Sequence, residues 1–368
     1  MKKLSPSLYD WLTALAATVI GLLLSFAVIR GVVSFVDFLN DDSGEFEYTD
    51  IYERVAQRRS LATLSDEIVV VSVDGCSRKR IADVIDAVGF MSPAAVGLDL
   101  FFTYPSEEGF DLVESIKGCG NIVLPVAVGR EDSESFFYGD FAADYAAVNM
   151  ISSSSFDIIR DYSTLFRSDT AVVPSMAYSL VEKAGYDIPA PDSRLRPIWY
   201  PSVEFDVIHA DEIVDSDGFP CMEIAGSLEG KIVLIGVTED PSDVHRTPIE
   251  EQMSGVMIHA HIADTIINDR YVKEVVEFWN YLIAFVVCLL FLRLTIYMKN
   301  LWDDVGEMVM SVAQVLLIYV FLVLGANLYI KHMFFIDFSM TMVAIGLSIT
   351  VLTLIKGMIY LYLKYSKK

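Results

Sequence analysis

Gly230–Asp269, GKIVLIGVTEDPSDVHRTPIEEQMSGVMIHAHIADTIIND, decides the fold. Lys231–Val237 is apolar and β-branched, the pattern of a buried strand. A polar loop follows, with Asp240, Asp243, His245 and the Thr247-Pro248 pair. Gly255 opens a second apolar run carrying His259 and His261, read as a strand end passing into a helix. Strand, loop and helix in that order bring acids, imidazoles and backbone donors to one edge of a sheet. In open α/β sheets that carboxyl edge is where ligands bind.

Upstream, the same alternation repeats. Ile68–Val73 reads as a buried strand ending at Asp74-Gly75. Lys79–Phe90 places Ile81, Val84, Ile85 and Val88 at the spacing of an amphipathic helix. Ala94–Leu100 is a second strand, with Asp99 near its end, and Phe110–Lys117 a short helix before Gly118 and Gly120. Asn121–Val128 is a third strand. This order demands right-handed crossovers and a largely parallel sheet flanked by helices. Beyond an acidic, aromatic loop at Glu131–Asp144, Tyr145–Met150 reads as a strand and Val172–Ala184 as a helix. Pro189, Pro191, Pro197 and Pro201 punctuate a loop around a short Ile198–Tyr200 strand, and Phe205–Ile208 precedes the opening stretch.

The ends of the chain differ from its middle. Hydrophobic residues make up 54% of 368, high for a soluble protein. The excess lies in four runs: Leu12–Ile29, Phe278–Met298, Met308–Leu328 and Phe338–Ile355. The first follows Lys2 and Lys3 and spans about 27 Å as a helix, enough to cross a slightly thinned hydrocarbon core. It reads as an uncleaved anchor, with a cleaved signal peptide as the rival reading. Positive charge sets orientation. Lys2, Lys3, Arg293, Lys299, Lys356, Lys364, Lys367 and Lys368 fall on one side, and Lys331 alone occupies the opposite short connector. The expected layout is an anchor at 1–36, an extracytoplasmic domain at 37–276, and three spans with a short cytoplasmic tail at 277–368. The fold class is thus α/β outside a bacterial inner membrane, with four transmembrane helices, one N-terminal and three C-terminal.

Of the 50 acidic and 27 basic residues, 44 and 17 lie between Asp37 and Val276, so that segment carries −27. Such a surface repels nucleic acid. Asn40–Leu64, acidic at Asp41, Asp42, Glu45 and Glu47 and basic at Arg54, Arg58 and Arg59, reads as a juxtamembrane connector. Cys288 lies in an apolar run and reads as a buried small hydrophobe. Cys76, Cys119 and Cys221 allow at most one internal disulfide, and their spacing selects none.

The chain resembles the second family of CHASE domains, sensory extracellular modules associated with cyclases and histidine kinases. The residues that carry the resemblance are VVVSVDG ending at Asp74-Gly75, AAVGLDLFF around Asp99, NIVLPVAV, and FDIIRDY with Asp157 and Arg160. KIVLIGVT with Gly236, Asp243, Thr247-Pro248, and GVMIHAHIAD with Gly255 and His259 complete the set. The family usually shows a DG pair where this chain has Asp157-Ile158. The resemblance covers nearly the whole length and implies sensing, with C-terminal spans that often feed a cytoplasmic catalytic domain. Here the chain stops soon after the last span and holds no Walker-type GxxxxGK[ST]. The expected partners are an unknown small ligand and a separate membrane or cytoplasmic effector protein, and a homodimer by analogy.

The candidate ligand-binding residues are Asp74, Asp99, Asp243, His245, Thr247 and His259. Asp74 and Asp99 are expected to end adjacent strands and to meet Asp243 at one edge. Paired carboxylates with His245 or His259 could hold a divalent cation. The competing readings are that Asp74 caps the helix near Ser77, that Asp99 bonds loop amides, and that Thr247-Pro248 fixes the loop. For His259 the competing reading is a hydrogen-bonded core residue. No cofactor is expected. A hydrolase would use Cys76 or a serine with His259, but no G-x-S-x-G elbow occurs, so the chain reads as a non-enzyme. A docking subunit of a membrane complex is the alternative to a sensor.

Overall fold

The computed structural model describes residues 6–39, 48–59, 62–102, 109–129, 144–152, 158–168, 172–201 and 203–365. Asp41, Asp42, Glu45 and Glu47, most of the Glu131–Asp144 loop, and Asp157 lie outside the described residues. The chain divides into two units, residues 53–271, and residues 1–52 with 272–368.

The first unit is built on a six-stranded sheet. In chain order its strands are β1 Thr63–Ser72, β2 Ala95–Asp99, β3 Ile122–Val126, β4 Asp144–Ala147, β5 Val203–His209 and β6 Ile232–Gly236. Their order across the sheet is β5-β1-β6-β2-β3-β4, and every pairing is parallel. Four helices cover it: α1 Arg78–Phe90, α2 Gly109–Gly118, α3 Met176–Lys183 and α4 Gly255–Ile267. Alternate strand residues serve opposite faces, as the two-residue period requires. Val69 and Val71 of β1 pack with Ile81, Val84, Ile85 and Val88 of α1 and Leu112 and Ile116 of α2. Ile68 and Val70 pack instead with Met176 and Leu180 of α3 and Val256 and Ile258 of α4. Gly97 in β2 lets α3 approach, since a Cβ there would stand 2.7 Å from Leu180 Cδ1.

The expected β-α-β order from β1 to β3 holds, with boundaries moved by at most five residues. One expectation fails in the strand order. Asp74 and Asp99 do not follow adjacent strands, because β6 lies between β1 and β2 and pairs with both. Val172–Ala184 is not one helix. Val172–Pro174 is a strand paired with Leu165–Arg167, and α3 starts after Ser175, whose hydroxyl accepts from the Tyr178 amide. Pro174 explains the switch, since proline biases the residue before it toward extended backbone. The Tyr145–Met150 strand is shorter, at Asp144–Ala147. The short strand expected at Ile198–Tyr200 lies instead at Arg196–Pro197.

In the second unit, three helices are long and apolar enough to cross a membrane, within Pro6–Leu39, Glu277–His332 and Ser339–Tyr365. The apolar runs expected at Phe278–Met298 and Met308–Leu328 both fall in Glu277–His332. That element breaks at Asp303, where φ is 48° and ψ is −126°. The chain folds back there: a Cβ on Gly306 would collide with the carbonyl oxygen of Met298. Residues eight apart in a straight helix stand about 12 Å apart along its axis, so the two parts are not collinear. Ala14, Ala17, Cys288 and Ala344 are fully buried between helices, and small residues permit close helix approach. Thr18, Ser25 and Thr295 satisfy their hydroxyls on carbonyls one turn back, at 2.9, 2.7 and 2.8 Å. All four cysteines, Cys76, Cys119, Cys221 and Cys288, are free.

Candidate functional site

The parallel sheet aligns the carboxyl ends of its strands, and register decides which residues meet there. Gly236, last in β6, pairs with Ser72 on one side and with Asp99 on the other. Asp74 and Asp99 therefore flank the exit of β6 and take different partners.

Asp74 holds the chain leaving β6. Its carboxylate accepts from the Thr238 amide at 3.1 Å, the Thr238 hydroxyl at 2.6 Å and the Glu239 amide at 3.1 Å, and from the Ser72 hydroxyl. Burial raises its pKa, but these bonds outweigh burial and hold it below the ordinary value. The cap of α1 is Ser77, which accepts from the Arg80 amide, so Asp74 has no part in capping.

On the other side, Asp243 and His245 act electrostatically on both Asp99 and His259. After β6 the loop turns back so that Val244–His245 pairs antiparallel with Met253–Ser254, directly before α4. His245 Nε2 lies 3.8 Å from Asp243 Oδ1, with 30% and 49% of those side chains exposed. Gly255, first in α4, donates its amide to the Asp243 carbonyl at 3.2 Å. A Cβ on Gly255 would stand 3.2 Å from Asp243 Oδ2, so this face of α4 looks onto the carboxylate. His259 is one turn further along the same face. Helical side chains lean toward the N-terminus, the direction of Gly255, and the Asp243 carboxylate acts on the His259 ring.

His259 is 2% exposed, and neither ring nitrogen has a hydrogen-bond partner among the described residues. Buried polar groups in native proteins are nearly always bonded, and an orphan calls for an explanation. The hydrogen-bonded core reading of His259 does not fit these contacts. Burial pushes its pKa down to about 4, with Asp243 opposing and His245 adding to the effect. The ring is therefore neutral near pH 7, with one donor and one acceptor. Asp99 is partly buried, and among the described residues it accepts no loop amide. Burial first, and then the Asp243 carboxylate, lift its pKa to about 7 against the opposing His245.

Thr247 serves the loop itself. Its hydroxyl donates to the Glu250 carbonyl at 3.1 Å and accepts from the Glu250 amide at 3.0 Å. The loop is tied on two sides. The Arg246 carbonyl accepts from the Ile159 amide at 2.8 Å, and the Pro248 carbonyl from Arg54 Nε at 3.0 Å. His261 is buried elsewhere, its ring 5.0 Å from that of Tyr200 and 4.9 Å from that of Phe205. Cys76 is not among the groups acting on His259. Among the described residues, no three His, Cys, Asp or Glu side chains stand where they could hold a metal ion.

Two residues of this region escaped the sequence reading. Thr238 is the main partner of Asp74; a hydroxyl two residues past a strand end was its one available signal. Asp264 pairs with Arg270 at 2.8 Å and takes the Asn268 side-chain amide at 2.9 Å, closing the far end of α4. Burial raises its pKa to about 6, with Arg270 opposing.

Residues 32–295 match the CHASE2 domain family. No curated protein and no solved structure matches the chain.

The raised Asp99 pKa sets a pH dependence. Its folded pKa of about 7 exceeds the unfolded 3.8, so between those values the native state holds a proton that the unfolded chain has released. Stability from this group is full below pH 3.8 and is lost as pH rises through about 7. The melting temperature of Asp99→Asn minus that of wild type should therefore grow from about pH 4 to about pH 7 and level off above. A difference that does not vary with pH contradicts the placement of Asp99 beside Asp243.

Proposed function

The chain belongs to the CHASE2 domain family, a family of extracytoplasmic sensory domains, and from that premise we propose that it is a membrane receptor for a small ligand. Its soluble unit receives the ligand at the Asp99, Asp243, His245 and His259 edge and passes the signal through membrane helices to a separate effector protein. The observation that carries this reading is His259: a buried imidazole whose two ring nitrogens have no hydrogen-bond partner among the described residues, within the field of the Asp243 carboxylate. A fold gains nothing from such a group, whereas a binding site does.

Transmission has support in the way the site is fastened. The loop carrying Asp243 is bonded through Pro248 to Arg54, near the start of the soluble unit. Helix α4, carrying His259, ends in the Asp264–Arg270 pair, beside that unit's last residue, Tyr271. Both points at which the chain leaves the soluble unit are thus bonded to elements of the site. A ligand that prefers one arrangement of loop and helix biases both connections.

The protein sits in the bacterial inner membrane with four spans, and both termini face the cytoplasm. The reversal at Asp303 supports this count, because it divides Glu277–His332 into 277–302 and 304–332, each long enough to span. Apart from Lys331, the lysines that flank the apolar runs gather with Arg293 on the side of the termini, as cytoplasmic bases do.

Two measurements test the proposal. A small-molecule fraction of the extracytoplasmic fluid should raise the melting temperature of the full chain in nanodiscs and leave His259→Ala unmoved. A docking subunit would ignore that fraction and co-purify with a protein partner instead. For topology, Asp217→Cys and Asp304→Cys in a background lacking the native cysteines should differ in reaction with an impermeant maleimide. Asp217→Cys should label in intact cells and Asp304→Cys only after permeabilisation; the reverse pattern overturns the orientation.

A further inference from the structure

We propose that the site takes a small molecule bearing a primary ammonium group, held between the Asp99 and Asp243 carboxylates and the acceptor nitrogen of His259. This rests on reading that strand edge as the receiving site.

The argument starts from the charges that reach it. Asp99 feels Asp243 and His245, and no lysine or arginine is among the groups acting on it in the described residues. Asp243 pairs in the described residues with His245, at the long distance of 3.8 Å. His245 carries a full charge only when protonated. The two carboxylates thus act on each other with one imidazole, and no lysine or arginine, beside them among the described residues. Elsewhere in the same unit Asp264 is met by Arg270 at 2.8 Å, Asp192 by Arg196 at 2.7 Å, and Asp74 by amides and hydroxyls. Asp99 has no such partner among the described residues, and burial first, then the Asp243 carboxylate, raise its pKa.

The missing counter-charge has a shape. A bare divalent cation needs several ligand atoms converging at bonding distance, and among the described residues no such group exists. An ammonium has three N–H donors splayed over a wider space, one for each carboxylate and one for an imidazole nitrogen. A neutral His259, its pKa depressed to about 4, offers that acceptor. Gly255 keeps the approach open, because any side chain there would press on Asp243. Asp243 is 49% exposed in its side chain and His259 2% exposed, so a ligand would reach the carboxylate first. The −27 carried by residues 37–276 raises the local concentration of any cation around it.

The test uses the full chain in nanodiscs and five probes: n-butylammonium, n-butanol, butyrate, tetramethylammonium and calcium ion. n-Butylammonium should raise the melting temperature most. Tetramethylammonium, which has charge and no N–H, should bind at least about tenfold more weakly, and n-butanol not detectably. The Asp99→Asn/Asp243→Asn double variant should lose the n-butylammonium response. Gly255→Ala keeps every polar group and suits a helix better, so it should fold normally and bind about tenfold more weakly. Butyrate or calcium raising the melting temperature of wild type but not of His259→Ala would leave the receiving site standing and reject the ammonium. No response to n-butylammonium, or a response kept by the double variant, overturns the inference outright.

Discussion

Strand β6 pairs in register with β1 on one side and β2 on the other, although it is the last strand of the sheet to appear in the chain. The centre of the sheet therefore stays open until residues more than 130 positions downstream of β2 arrive. Long-range parallel pairing of this kind costs loop entropy and folds slowly. What it secures is geometric. Ser72, Gly236 and Asp99 become neighbours in one row, and the loop after β6 must leave between two acids. One acid, Asp74, is consumed in fixing that loop. The other, Asp99, is left in the field of Asp243.

The division of labour follows from hydrogen-bond supply. Around Asp74 the loop offers two amides and a hydroxyl, and the carboxylate accepts all of them while ionised. Around Asp99 the neighbours are a second carboxylate and an imidazole, which compensate it poorly. Two acids only one strand apart thus shift in opposite directions, Asp74 down and Asp99 up. Groups pushed apart in this way mark functional sites more often than structural ones.

Much of this was legible in the sequence, and the failures share a cause. The β1-to-β3 alternation, α1 and β6 were readable because each is a clear apolar run or period, as with Ile81, Val84, Ile85 and Val88 on the buried face of α1; α4 was readable except at its start, where the strand end lies at Met253–Ser254 and Gly255 is already helical. Short elements were not: Pro174 ends a strand that an apolar run disguised as helix. Strand order was not legible either, because β6 enters between β1 and β2 by tertiary pairing that no local pattern records. Of the six candidate residues, Asp99, Asp243, His245 and His259 are linked electrostatically, while Asp74 and Thr247 hold loops. That split depends on register and on contacts with Thr238 and Glu250, which the sequence lists without joining.

The account depends on His259 being kept for something other than stability. The direct test is the thermal stability of His259→Leu in the full chain near pH 7. Leucine fills much of the same volume and removes both orphan nitrogens, so the variant should melt at or above wild type. A clear drop in melting temperature would mean that the imidazole is bonded and structural, and would contradict the site.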